Sequence, residues 1–273
     1  MRSSLPAKTS ILAIAILASA CSATPFQFSV WNPVQLVPES SEIRGLRVNV
    51  VYGKNKSVHG MDVGLINATS GDGGGIGVGL QNQVYGNYSG VQVGLMGGPL
   101  GVRTAGEEVY TTDAFQAGNI VSGEFSGVQL SMANLVGSDV AGAQLGLTVS
   151  GTLGQLTGLQ VGMLNMAAEG FRGIQLGWLV NWSAAFREDV RNWGLQVSLI
   201  MNQAEDDMVG SQISAINRIS AGPTASTPAR LAGIQIGLVN RVEELSGVQI
   251  GLLNFNKSGP LPFFPIVNFD FWD

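Results

Sequence analysis

Four carboxylate clusters, Glu107-Glu108, Glu188-Asp189, Glu205-Asp206-Asp207 and Glu243-Glu244, are the side chains of this sequence best suited by type to chemistry. Paired acids can divide the acid and base roles of glycoside hydrolysis, or share a calcium ion, because both tasks need several oxygens at a fixed separation. All four lie between apolar stretches, and they are expected as solvated loop charges that keep an apolar chain soluble. His59 is the only histidine, and it lies just before an apolar stretch. Without a partner imidazole it builds no usual zinc site, so it is expected in a loop. The run GDGGGIGVG from Gly71 to Gly79 lacks both the following helix of an anion site and the second copy of a calcium roll, and reads as a glycine-rich turn. Trp178, Trp182 and Trp193 are close in sequence and could stack on a carbohydrate or form an interfacial belt. Trp178 occupies an apolar repeat position and is expected in the core. No catalytic, cofactor or metal set emerges, and the chain is expected not to be an enzyme. Carbohydrate hydrolysis by loop acids is the one enzymatic alternative.

The elements that would position these residues repeat. GVQIGLLN at Gly247 to Asn254 is matched by GIQIGLVN at Gly233 to Asn240 and GLQVGMLN at Gly158 to Asn165. Aligning an opening residue, apolar, Gln, apolar, Gly or Ser, two apolar residues and Asn gives fourteen full or partial copies. They begin at Pro25, Gly45, Gly60, Gly75, Gly90, Ala114, Gly127, Gly142, Gly158, Gly173, Gly194, Gly210, Gly233 and Gly247. The third position is Gln in eleven of them, and the four copies from Gly45 to Gly90 are spaced by 15 residues. Apolar residues at positions two, four and six, such as Val248, Ile250 and Leu252, share one face of an extended strand, with Gln249 and Gly251 on the other. The apolar face is expected to form the core.

Such strands can stack as a β-solenoid, one coil per unit, or close as an antiparallel outer-membrane barrel with the apolar face toward lipid. Unit spacings do not alternate between short turns and long loops, and both ends carry proline-bearing versions of the unit, PFQFSVWN at Pro25 and LPFFPIVN at Leu261. Proline suits an edge or cap. These features favour the solenoid. In the barrel's favour, an apolar residue two before the opening glycine (Tyr88, Phe125, Phe171, Leu245) lengthens the strand toward a membrane-spanning size, and Phe263, Val267, Phe269 and Phe271 alternate near the end. The fold class is thus all-β, a single domain of about fourteen short strands over residues 21–273, with repeats from about 25 to 268. The longer insertions, Gly97 to Asp113, Asn181 to Trp193 and Arg218 to Ala232, are where a ligand contact is expected.

The first twenty residues, MRSSLPAKTSILAIAILASA, have two basic residues, no acid, an apolar run from Ile11 to Ala18 and a small-residue ending. That is a secretory signal, far short of the roughly 20 apolar residues a membrane-spanning helix needs. Its removal leaves 12 of the 14 basic residues against 19 acidic ones, a balance that argues against nucleic acid as a partner. Cys21, the only cysteine, follows directly and has no internal disulfide partner. LASAC resembles the lipobox of bacterial lipoproteins, although Leu17 is one place earlier than the usual leucine and Ala18 takes its position. That resemblance implies acylation at Cys21, which makes the membrane a partner through an N-terminal lipid and places the chain in a bacterial envelope, outer membrane included.

The GφQφGLφN units (φ, apolar), the opening PFQFSVWNPVQLVPES, the following GLRVNVVYGKN and the closing PLPFFPIVNFDF resemble a family of bacterial surface-repeat proteins described from spirochaete lipoproteins. The match spans residues 25 to 271. What the resemblance implies is an exported, envelope-associated protein with no assigned activity; the leading expectation beside it is a structural or adhesive role, with a protein or carbohydrate ligand and no cofactor.

Overall fold

A computed structural model describes residues 23–95, 118–184, 191–222 and 227–271. Twenty strands pair into one continuous sheet that winds into a β-solenoid of about 13 turns. The pairing is parallel and keeps like letters in register. Gly233 faces Gly247, Gln235 faces Gln249 and Asn240 faces Asn254 in adjacent coils. The same holds from Gly142 through Gly158 to Gly173. Only two short partnerships run antiparallel: Val34–Gln35 against the first strand, Thr24–Trp31, and the last strand, Phe263–Asp270, against Glu244–Asn256. A closed antiparallel barrel is therefore not the fold. The two proline-bearing units are indeed the terminal layers of the stack.

Each coil is an arch. A first segment runs to the Gly or Ser at position five, the chain bends, and a second segment carries the Asn. In the coil opening at Gly194 the two are separate strands, Asn192–Ser198 and Met201–Glu205. In the coil opening at Gly158 they form one strand, Leu156–Ala167, with its register irregularity at the bend. The segments face each other across a narrow interior, as Gln249 Nε2 donating to Phe255 O at 3.1 Å shows.

The side of the strand that faces inward is the reverse of the expected one. Gln249 is 0% exposed, whereas Ile250 is 43% and Leu252 64% exposed. The Val, Ile and Leu of positions two, four and six cover the outside. Alternation states that two faces differ, and says nothing about which is enclosed. What decides here is the repeat along the axis. At about 4.8 Å per coil, stacked carboxamides can each donate to the next, so a buried amide row satisfies itself. The apolar core lies elsewhere in the coil. It comprises the residue two before the opening glycine (Val140, Leu156, Phe171, Met208, Leu231) and the end of the second segment, including Val136, Ala167, Ala204, Ile219 and Val242.

The opening glycine is required by geometry. Its φ lies between 108° and 153° in the twelve coils that have one, and a Cβ on Gly247 would lie 1.9 Å from Gly233 O. Only glycine allows the coils to approach at this point.

Thirteen of the fourteen aligned units open a coil among the described residues; the fourteenth begins at Ala114. Ala114 lies outside the described residues, but Gly90 pairs directly with Gly127, and Asn119 pairs with both Asn82 and Asn134. Asn119 therefore takes the Asn position of the coil that opens at Gly90.

Candidate functional site

The interior is built from two amide ladders. Gln92, Gln129, Gln144, Gln160, Gln175, Gln196, Gln212, Gln235 and Gln249 are joined by Nε2-to-Oε1 bonds of 2.7–3.0 Å, each donor pointing to the preceding coil. Asn49, Asn67, Asn82, Asn119 and Asn134 make a second ladder in the opposite donor direction at 2.8–2.9 Å. It resumes from Asn165 through Asn181, Asn202, Asn217 and Asn240 to Asn254. The break is at Ser150, which registers with Asn134 on one side and Asn165 on the other. Serine is too short to bridge them. Asn134 Nδ2 and Asn165 Oδ1 are accordingly buried without partners.

Toward the N-terminus the Gln row changes chemistry. Arg47, 0% exposed, takes the third position of its coil, and Asp62 takes it in the next. Arg47 Nη2 donates to Asp62 Oδ2 at 2.5 Å and Nε to Oδ1 at 2.8 Å, while Nη1 donates to Ala68 O at 2.8 Å. Bidentate geometry with further hydrogen bonds is what a buried ion pair requires. Gly77 follows in the row, leaving space that the Tyr88 ring reaches; a Cβ on Gly77 would lie 3.5 Å from its hydroxyl. Burial pushes the Tyr88 phenol well above its ordinary value, with the Asp62 charge adding to the effect. The hydroxyl stays protonated and donates to Val91 O at 3.4 Å. The charged row carried a sequence signal, opposite charges at the third position of adjacent units, that only the register makes readable.

The surface acids serve the backbone at the corner between coils. Asp72 Oδ1 accepts from Asn87 N and Asp139 Oδ1 from Gln155 N, both at 2.8 Å. Asp206 and Asp207 accept from Gly222 N and Arg230 N at 2.9 Å. Glu243 accepts from Ala221 N and Ala229 N and pairs with Lys257 at 2.6 Å. These are corner caps, more tightly engaged than free loop charges. Glu107, Glu108, Glu188 and Asp189 lie outside the described residues, as do most of the insertion after Leu95 and parts of the other two. Among the described residues, no three His, Cys, Asp or Glu side chains come together to hold a metal ion.

His59 lies within the strand Ser57–Thr69 instead of a loop, exposed, with its ring Nδ1 3.1 Å from Ser57 Oγ. Most of the glycine run is strand, Gly73–Gly79, and only its first two residues, Gly71 and Asp72, belong to the corner before it. Trp178 is not in the core: it is 65% exposed at position six of its coil. Trp193 is also exposed, and Trp182 donates Nε1 to Glu205 at 3.2 Å. The tryptophans belong to the exterior because their repeat positions face outward.

That exterior is the most unusual surface of the molecule. From Leu46 to Leu253, positions two, four and six of the described coils hold no ionisable residue and one polar residue, Ser211; position seven is also uncharged but turns inward in some coils, at Ile66, Gln81 and Ala133. Leu95, Leu147, Trp178, Leu199, Leu238 and Leu252 form its crest at the bend. The outward charges occupy the opposite corner and the borders. Compared with known proteins, the chain matches no family model, no curated protein and no solved structure.

Proposed function

We propose that this chain is an exported, lipid-anchored envelope protein that presents a rigid β-solenoid body for structural or adhesive contacts and catalyses no reaction. It fits the bacterial surface-repeat family resemblance of its units. The observation that carries the reading is the position of Cys21: the sole thiol follows Ala18-Ser19-Ala20 at the end of a signal-like segment, three residues before the first strand begins at Thr24. What supports a scaffold over an enzyme is the engagement of the described acids as corner caps and of the amides as ladders. The test is metabolic labelling with a palmitate analogue, together with the size of the mature chain. The native chain is expected to take label and be processed before Cys21, and Cys21→Ser to lose both. Unchanged labelling and processing in Cys21→Ser would refute the anchor.

A further inference from the structure

We infer that the uncharged outer ridge of the solenoid is a lipid-binding surface, which lays the body lengthwise on a bilayer with the ridge among the acyl chains. The inference stands apart from the anchor at Cys21, because the exterior alone carries it. Three observations point to lipid instead of a second copy or a protein partner.

The first is extent. About 13 coils at about 4.8 Å give a ridge of roughly 60 Å, and the chain contour from position two, round the bend, to position seven is about 16 Å. That area exceeds the roughly 800 Å² that each partner presents in a standard protein interface, and far exceeds the apolar patches of ordinary soluble surfaces. Shape is the second. The crest, Leu199, Leu238 and Leu252 among others, lies on the bend, with positions two and four on one flank. A single protein surface meets one flank of a convex ridge and leaves the crest wet, whereas acyl chains conform to all of it.

Charge segregation is the third. Asp72, Asp139, Asp207, Glu243 and Lys257 mark the corner opposite the crest, where they stay in water when the crest is immersed. Exposed Trp193 and half-exposed Trp182, bonded to Glu205, occupy the border rows between, the depth at which tryptophan is favoured at a membrane interface. With the axis in the membrane plane, the backbone bonds run along that plane and are satisfied between coils. No part of the stack has to cross the bilayer.

The experiment uses residues 22–273, which lack both the apolar leader and the acylation site and keep every described residue, mixed with neutral phosphatidylcholine vesicles. This chain is expected to float with the vesicles, and its tryptophan emission to shift blue and be quenched by acyl-brominated phosphatidylcholine. Trp178→Phe should remove much of that quenching. Leu199→Lys combined with Leu238→Lys, both on exposed crest positions, should weaken flotation at least tenfold with the β circular dichroism unchanged. The inference is overturned if the chain of residues 22–273 stays monomeric in the aqueous fraction. It is overturned equally if the chain forms a discrete oligomer whose tryptophans brominated lipid does not reach, or if the lysine variant is folded and floats as well as its parent. Failure of Cys21 to take a lipid label refutes the anchor and leaves the ridge untouched.

Discussion

A buried primary amide has two donor hydrogens and an acceptor oxygen to satisfy, and in this solenoid its twin in the next coil meets one demand on each side. Removing one rung strands two neighbours. In Gln160→Leu, Gln175 Nε2 loses its acceptor and Gln144 Oε1 its donor. With about 1–3 kcal/mol for each buried group left unpaired, the loss is expected at about 3 kcal/mol by denaturant titration. The opposite experiment is available at Ser150. Asparagine there can accept from Asn134 Nδ2 and donate to Asn165 Oδ1, both now unpartnered, so Ser150→Asn is expected to stabilise by about 1 kcal/mol. A neutral or destabilising result would mean that the ladder is not continuous through that coil. Glu243 supplies a pH dependence. Its hydrogen bond from Lys257 foremost, then those from Ala229 and Ala221, hold its carboxyl below the ordinary carboxylate range. A lowered folded value contributes stability that is present above the unfolded carboxylate's pKa and lost as pH falls through the folded one. The gap in melting temperature between the native chain and Glu243→Gln should therefore be widest near neutrality and close below the carboxylate range.

At the scale of the coil, strand and glycine positions are set by local rules, and most of them are legible in the letters. Alternation with period two, a 15-residue spacing and the terminal prolines identify stacked strands with capped ends. The opening glycine is the strictest of these positions. Gly173→Ala places a Cβ 2.0 Å from Gly158 O at a φ of 141°, and is expected to cost at least about 3 kcal/mol. Gly151→Ala meets only the flexible ends of Leu135 and Met166, at 3.2 and 3.7 Å; it should cost under about 1 kcal/mol, measured in the same titration. What the letters do not carry is which face is enclosed, because Val248-Gln249-Ile250 alternates identically either way. That choice is made between coils, by a hydrogen-bond repeat no single unit contains. Arg47 and Asp62 are visible as charges in sequence, but their pairing needs the register.

Along the whole stack the bend side of the coil inverts the usual distribution, with amides inside and branched aliphatics outside, while an ordinary apolar core fills the other side. Each half follows from the other. Once the amide rows are enclosed, the apolar residues between them have nowhere to point but outward, and a surface of this kind needs a medium to meet it. The assignment of faces is thus the central claim, and native-state thiol reactivity tests it most directly. On the Cys21→Ser background the chain has no other cysteine, so single cysteines at 174, 175 and 176 each report one side chain along the strand Phe171–Ser183. With a small, membrane-permeant maleimide, Ile174→Cys and Leu176→Cys are expected to react readily and Gln175→Cys only on unfolding. Reaction at 175 with protection at 174 and 176 would place the aliphatic residues inside, and would contradict both the amide-laddered interior and the lipid-facing ridge.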